Sequence, residues 1–234
     1  GRDIELRTEK GDVVPGIIVY DKPLRVKEVG DWDTLKLDIG AKNENDCQEM
    51  EISIPVQGTY KKVYYETKDK VFGSALDNRL GVFLLLSLLL ENPQIIKKGM
   101  GFGFTTSEEA NFEGSKSLAN FAKAEYACVA DVIPHSYTLH DPKIKNPGDP
   151  LIVYKAHDWI AHSDVRNLIK DVPHQKYFWW NEEAKDIEPV FYENFGRSKS
   201  FNFCIIVNNY HHGTSSCYKE SIEMAYFALE KMIF

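Results

Sequence analysis

The chain has 234 residues, of which 43% are hydrophobic and 27% are charged, and its formal net charge at pH 7 is -7. These values are typical of an ordinary globular protein with enough residues to bury a large core. The acidic balance and the absence of any run of lysine and arginine argue against a nucleic-acid partner.

Cysteine spacing and hydropathy bear on the compartment. The four cysteines contain no C-x-x-C pair, which favours free thiols in a reducing compartment over a disulfide framework. The most apolar run, residues 82–90, is too short to cross a bilayer, and the sequence shows no signal-peptide pattern. We therefore expect a cytoplasmic protein with no membrane partner.

The first third of the chain is predicted to be rich in β-strands. Apolar and polar residues alternate in three segments, as they do in half-buried strands. The predicted elements are strands at 4–8, 16–20, 32–39 and 52–56, with one short helix at 43–50. Pro55 indicates that the last of these strands lies at an edge or ends there. We predict a compact, strand-dominated domain over residues 1–65.

From residue 66 onward, predicted strands and helices alternate. A helix at 80–90 is apolar nearly all round, so we expect most of its sides to be buried. The later predictions are strands at 99–106, 126–133, 151–155 and 202–207, and helices at 115–123, 163–170 and 218–232. Residues 135–150 are predicted to be a loop, and the pattern assigns no element to residues 177–194. Such alternation indicates an α/β fold with a mostly parallel mixed sheet flanked by helices.

Potential metal ligands recur at the ends of the predicted strands and at the start of a helix. Open α/β sheets bind their ligands at the carboxyl edge of the strands. Carboxylate oxygens and imidazole nitrogens are the ligands of zinc, cobalt and manganese in proteins. The residues concerned are Asp77, Glu108, Glu109, Asp131, His211 and His212.

Each of these residues also has a purely structural interpretation. Asp77 is suited to cap a helix N-terminus, and Asp131 precedes Pro134 in what could be a turn. The Glu108–Glu109 pair suits a solvated acidic turn, and two adjacent histidines are common in surface loops. Their convergence on one edge of the sheet is what favours a metal-dependent hydrolase.

Four segments together resemble the M42 family of metallo-aminopeptidases, the tetrahedral aminopeptidases. Residues 73–82, Gly-Ser-Ala-Leu-Asp-Asn-Arg-Leu-Gly-Val, resemble that family's Lys-Ala-Phe-Asp-Asp-Arg-x-Gly stretch. Residues 104–109, Phe-Thr-Thr-Ser-Glu-Glu, are similar to its apolar strand and Glu-Glu pair. Residues 130–132, Ala-Asp-Val, and 209–212, Asn-Tyr-His-His, are similar to its next Asp segment and its late Arg-Tyr-x-His segment.

The resemblance implies a zinc-peptidase-like fold and an enzyme that removes the N-terminal residue of peptides. Two divalent metal ions, zinc or cobalt, would activate a water molecule, and Glu108 would be the general base. Asp77 would bridge the two metals, Glu109 and His212 would complete one site, and Asp131 would belong to the other. The family's register favours His212, whereas the residues alone do not choose between it and His211.

The N-terminal domain also takes part in the resemblance. Residues 32–50 resemble the strand and short helix of the PDZ-like insert that assembles these enzymes. The resemblance therefore implies a PDZ-like assembly domain at 1–65, a catalytic domain at 66–234, and a homo-oligomer in which dimers build a dodecamer.

The sequence departs from the family pattern in two places. The family has a His-x-Asp segment upstream of the insert, whereas here residues 1–7 already resemble the start of the insert and no histidine precedes His135. Residues 192–198 stand where the family has a Gly-Gly-Thr-Asp-like loop near the substrate. The alternative to an active aminopeptidase is therefore a truncated or catalytically impaired member that keeps the fold and assembly without a complete metal centre.

Overall fold

The structure is a computed structural model that describes residues 2–20, 34–138, 148–156, 159–179 and 187–233. Contacts between residues divide the chain into two compact units, Gly1–Val63 and Tyr64–Phe234. Among the described residues, no helix combines the length and the apolar character that a membrane crossing requires.

The first unit contains an antiparallel sheet with the strand order β3-β2-β1-β4. Its elements are β1 (Arg2–Arg7), β2 (Val13–Tyr20), β3 (Leu35–Asp38), α1 (Glu44–Glu49) and β4 (Gln57–Tyr60). The predicted helix at 43–50 is confirmed as α1, whose N-terminus is capped by the Asn43 side chain accepting from the Asp46 amide. Of the strand predicted at 32–39, residues 35–38 are confirmed, and Trp32 lies outside the described residues.

The strand predicted at residues 52–56 is wrong. The structure places no strand there, and Ile54 is 96% exposed. Pro55 has no amide proton to donate to a sheet, and pairing begins only at β4, whose partner is β1.

The second unit contains the alternating strands and helices. Its strands are β5 (Tyr64–Glu66), β6 (Lys70–Gly73), β7 (Tyr126–Pro134), β8 (Leu151–Ala156), β9 (Trp159–Ile160), β10 (Gln175–Trp179), β11 (Lys199–Val207) and β12 (Ser215–Tyr218). Its helices are α2 (Leu76–Glu91), α3 (Glu113–Ala122), α4 (His135–Thr138), α5 (Ser163–Leu168), α6 (Pro189–Phe191) and α7 (Lys219–Ile233), with a 3-10 helix at Pro93–Lys98 and a π-helical turn at Tyr192–Gly196. Most of the elements predicted from residue 115 onward are therefore confirmed, with ends that shift by a few residues.

The larger sheet of this unit is mixed. Its strand order is β10-β8-β11-β7, with β9 pairing with β8. The pairs β7–β11 and β8–β10 are parallel, whereas β8 and β11 are antiparallel. Strand β11 is central, and eight of its nine residues are buried. A smaller antiparallel sheet has the order β12-β6-β5.

The strand predicted at 99–106 is wrong. Residues 101–105 belong to no sheet among the described residues. Gly101 and Gly103 supply no side chain to pack on a pleated surface. At Gly103 the Leu118 side chain occupies the space, since a Cβ there would lie 2.2 Å from Leu118 Cδ2.

The burial predicted for the apolar helix is also wrong in part. Helix α2 buries Leu80, Leu84 and Leu88, but Phe83 is 55% exposed and Leu90 is 76% exposed. The helix packs one face against β7 and α7, and its opposite face is not covered by the described residues. Uniform apolar composition does not show which face packs.

Candidate metal centre

The first turn of α2 holds Asp77 in a non-helical conformation. Asp77 has φ -83° and ψ 109°, and the N-cap residue is Ala75, which makes no side-chain cap hydrogen bond. The interpretation of Asp77 as the helix N-cap is therefore wrong, and its carboxylate is available for another role.

Asn78 fastens this turn to the neighbouring strand β7. Its side-chain nitrogen Nδ2 donates to the Ala130 carbonyl at 2.7 Å, and its side-chain oxygen Oδ1 accepts from the backbone amide of Gly81 at 3.0 Å. A Cβ at Gly81 would lie 2.5 Å from Asn78 Oδ1 and 2.7 Å from the Ala130 oxygen. The turn can approach β7 this closely only because residue 81 is glycine.

Glu108 and Glu109 lie in a turn that precedes α3. The Phe112 amide donates to the Ser107 carbonyl at 3.0 Å, which closes the turn, and Ser107 has a positive φ of 61°. The Glu109 side chain is 66% exposed, whereas Glu108 is half-buried. The two adjacent carboxylates therefore occupy different environments.

The turn that follows β11 carries both histidines, but it places them differently. His211 Nε2 lies 3.4 Å from Asp77 Oδ2 and 3.3 Å from Glu109 Oε1. The His211 ring is stacked on Tyr210, with ring centroids 3.7 Å apart. His212 Nδ1 instead lies 2.6 Å from the carbonyl oxygen of Tyr210, two residues back in the same turn. The structure thus brings His211, and not the predicted His212, to the carboxylates.

Asp77, Glu109 and His211 form a three-residue cluster whose donor atoms all lie within 4.8 Å of one another. Asp77 Oδ2 is buried and accepts no hydrogen bond of adequate geometry from the described residues, and His211 Nε2, which is charged only when protonated, lies 3.4 Å from it. A buried carboxylate oxygen without a donor is costly unless a cation or another partner compensates its charge. Two carboxylates and one imidazole are also a donor set that suits zinc or cobalt, so these residues fit a divalent cation.

Asp131 lies in β7, within electrostatic reach of this cluster. Its Oδ1 accepts from the Val132 amide at 2.7 Å. Burial raises the pKa of Asp131 well above its ordinary value, and the charges of Asp77 and Glu108 add to that effect. Asp131 is therefore beside the cluster, although it does not belong to the group of three donors.

Burial, followed by neighbouring negative charge, raises the pKa values of Glu108 and Asp77. The pKa of Glu108 is raised to about 7, mainly by burial and further by the negative charges of Glu109 and Asp77. Burial and the charge of Glu109 raise the pKa of Asp77. Like charges held this close favour the protonated forms, and a bound cation would reverse that preference.

A cavity of about 410 Å³ opens beside the acidic residues. Its volume lies in the range of small-ligand sites. The side chains that line it are Glu108, Glu109, Asn111, Phe112, Lys116, Phe191 and Tyr210. The lining combines two carboxylates with three aromatic rings, and the Lys116 ammonium lies 5.1 Å from the Phe191 ring centroid.

Sequence reasoning missed two further residues near the site. Tyr210 stands next to His211, and its proximity in sequence to two potential ligands was a usable signal. Glu188 is buried and accepts a hydrogen bond from Ser115. It lies in the segment to which no element was assigned, so no pattern in the sequence pointed to it.

Comparison with known proteins identifies the family. The model of the M42 glutamyl aminopeptidase family matches residues 1–178. These residues include the four predicted carboxylates and end before His211 and His212. A protein of Acetivibrio thermocellus to which aminopeptidase activity is ascribed is 27% identical over 160 residues, or 68% of this chain and 48% of that protein. This chain therefore spans about half the length of that curated relative.

Solved structures share the fold. A TET aminopeptidase from a marine-sediment Thaumarchaeota archaeon has a TM-score of 0.82 at 19% identity, over 100% of this chain and 69% of that one. The TET1 peptidase of Pyrococcus horikoshii, which assembles into a tetrahedron or a large octahedral shell, has a TM-score of 0.76 at 22% identity, over 100% of this chain and 72% of that one. The family match covers most of the sequence, and the chain belongs to the M42 glutamyl aminopeptidase family.

Proposed function

We propose that this chain forms the metal-binding part of an aminopeptidase that hydrolyses the N-terminal residue of peptides. The observation that carries the proposal is the convergence of the Asp77, Glu109 and His211 donor atoms within 4.8 Å. Membership of a peptidase family and the cavity beside the cluster support it.

The proposed metal ligands differ in one position from those that the family resemblance implied. We assign His211 in place of His212, with Asp77 and Glu109, and assign Asp131 to a second cation. When bound, two divalent cations such as zinc or cobalt would supply Lewis-acid activation of water. Asp77 would be shared by the two sites, which is supported by its contact with His211 on one side and by its electrostatic interaction with Asp131 on the other.

Glu108 is proposed as the general base. Its carboxylate lines the same cavity as Glu109, so it faces the space in which a peptide would bind. Glu108 would accept the proton released when water adds to the scissile carbonyl and would return it to the leaving amine. The aromatic wall of the cavity would hold the first side chain of the peptide away from water.

Residues 1–65 are proposed to act as a PDZ-like assembly domain. The support is the antiparallel sheet with its short helix, together with the assembly of the TET1 peptidase, a structural neighbour, into closed shells. We propose a homo-oligomer in which dimers build a dodecamer. Light scattering that gives the mass of a single chain at micromolar concentration would contradict this.

Metal content and peptidase activity test the proposed function together. The protein would be dialysed against metal-free buffer, loaded with zinc or cobalt, and analysed for bound metal per chain and for cleavage of amino-acid arylamides. Bound metal with arylamide cleavage, both lost in Asp77→Asn and both kept in the surface control Asp69→Asn, is the expected result. Failure to retain metal and to cleave any arylamide would refute the proposal in favour of a chain that keeps only the fold.

A further inference from the structure

A second cavity of the Tyr64–Phe234 unit, about 430 Å³ in volume, is lined by positive charge. Among the described residues that line it, four are cationic and none is acidic; the four are Lys155, Arg166, Lys170 and Lys176. This is unusual in a chain with a net charge of -7. Like charges around one concavity repel one another and attract anions from solution.

The cavity is separate from the metal centre. Cys204 of β11 pairs with Asp131 of β7 on one side and with Leu151 of β8 on the other, so these residues lie at one level of the sheet. Strand β8 runs antiparallel to β11, so Tyr154 lies about 10 Å further towards the amino end of β11. His211 follows the carboxyl end of β11, so the cationic cavity and the metal centre lie towards opposite ends of the sheet.

Hydrogen bonds and ring stacking hold the wall of this cavity in place. Tyr154 donates to His174 Nε2 at 3.1 Å, which leaves His174 Nδ1 to donate to the Val172 carbonyl at 2.7 Å. The Tyr154 and His174 rings are stacked with centroids 5.9 Å apart, and the Phe178 ring lies 6.1 Å from Tyr154. The wall therefore presents fixed aromatic groups beneath the long side chains of lysine and arginine.

The electrostatic surroundings agree with the geometry. Burial lowers the pKa of His174, and the positive charge of Lys176 lowers it further. Burial raises the pKa of the Tyr154 hydroxyl, and the charge of Arg166 opposes that rise. Lys176 and Arg166 are therefore close enough to His174 and Tyr154 to act on them electrostatically.

We propose that this cavity binds a small organic anion, in which a phosphate or carboxylate group is attached to a planar or apolar ring. The anionic group would contact Arg166, Lys170 and Lys176, since guanidinium and ammonium groups pair well with such anions. The ring would lie against Tyr154, Phe178 and Ile160. The volume is that of a site for a small ligand, and the ligand would be distinct from the peptide substrate.

Calorimetric titration at fixed ionic strength would test the site with three probes: phenyl phosphate, benzoate and neutral benzyl alcohol. We expect one saturable site for at least one of the two anions and none for benzyl alcohol. The Lys170→Gln/Lys176→Gln double variant is expected to weaken binding by at least about tenfold, because each removed charge takes away a charge-assisted contact. Binding of phenyl phosphate alone would identify the ligand as a phosphate ester, and similar binding of both would identify a general anion site.

Two control variants test whether anion binding depends on this cavity in particular. Lys97→Gln/Lys231→Gln removes the same total charge from exposed positions outside the cavity and should leave the affinity unchanged. Asp77→Asn alters the metal centre and should also leave it unchanged, so failure of the proposed peptidase function would not affect this result. No saturable binding of either anion, equal weakening in the two double variants, or loss of binding in Asp77→Asn would each overturn the proposal.

Discussion

His211 and His212 are neighbours in one turn, yet only His211 lies beside the carboxylates. Its Nε2 is within 3.4 Å of oxygens from both Asp77 and Glu109. His211 has a positive φ of 55°, and a single residue in this conformation is enough to send adjacent side chains in different directions. The distinction depends on backbone dihedral angles that the two identical residue types do not reveal.

We predict that His211→Ala lowers metal affinity by at least about tenfold, because it removes one donor of the three-residue cluster. His212→Ala is the matched control and should keep the affinity of the unaltered protein. Calorimetric titration of the metal-free variants with zinc would measure the two affinities. Equal losses in the two variants, or a loss only in His212→Ala, would contradict the assignment of His211.

Glu108 and Glu109 differ in their neighbours, and so we expect their substitutions to differ. Glu108→Gln should lower the turnover of an arylamide substrate by about 10²- to 10⁴-fold while metal content stays the same, because the amide keeps the shape but cannot accept the proton. Glu113→Gln, an exposed neighbour in α3, serves as the control. Near-normal turnover in Glu108→Gln would show that another group acts as the base.

At the scale of elements, the position of the site depends on the contact between the start of α2 and β7. Asn78 bridges the two elements through hydrogen bonds to Ala130 and Gly81. The same turn sets the backbone of Asp77, while Asp131 lies one residue beyond Ala130 in β7. The distance between two proposed ligands is thus set by a single amide side chain and by the absence of a side chain at Gly81.

We predict that Gly81→Ala destabilises the protein by about 1–3 kcal/mol, because the new Cβ would clash with Asn78 and with the Ala130 carbonyl. This cost exceeds the roughly 1 kcal/mol that alanine gains over glycine in a helix. Urea unfolding would measure the difference in the free energy of unfolding.

Gly101→Ala is the control for that measurement, since nothing lies within 4 Å of the Cβ it would add and its φ is not in the left-handed region. We expect a change of no more than about 0.5 kcal/mol there. An unfolding free energy for Gly81→Ala equal to that of the unaltered protein would mean that the turn can move away from β7 without cost.

At the scale of the whole molecule, charge is distributed unevenly within the Tyr64–Phe234 unit. Carboxylates gather towards one end of the larger sheet, where burial and then neighbouring negative charge raise the pKa values of Asp77, Glu108 and Asp131. Cations line a separate cavity towards the other end. A divalent cation bound among the carboxylates would offset their mutual repulsion. These carboxylates are close together only in the folded state, so metal binding and folding should be linked.

We predict that zinc at about 100 times its dissociation constant stabilises the folded protein by about 2.7 kcal/mol. For a unit of this size, the midpoint of thermal unfolding would rise by about 5–11 °C. Differential scanning calorimetry with and without zinc would measure the shift, and EDTA should reverse it. Asp77→Asn should reduce the shift sharply, and a shift of full size in that variant would place the stabilising cation elsewhere.

The sequence by itself predicted seven of the second unit's elements and drew attention to the carboxylates of the candidate site; the seven elements are α2, α3, β7, β8, α5, β11 and α7. Residues 203–207 of β11 are a continuous apolar run, and α7 has an apolar stripe, so period and composition sufficed for both. Asp77, Glu108, Glu109 and Asp131 stood out because charges follow apolar segments only for a reason, and the resemblance to one family linked them. These are local properties of the sequence, so they can be recognised without knowing how the rest of the chain folds.

Only the tertiary structure decided how those residues meet. The sequence could not show that residues 101–105 lie outside any sheet, because that depends on Leu118 filling the space beside Gly103. It could not show which histidine lies beside Asp77 and Glu109, or that Glu188 approaches the site from a distant segment. Lys155, Arg166, Lys170 and Lys176 are likewise separated in the sequence, and only the folded chain brings them to one cavity. Each of these facts depends on distances between residues far apart in the chain, which no local pattern contains.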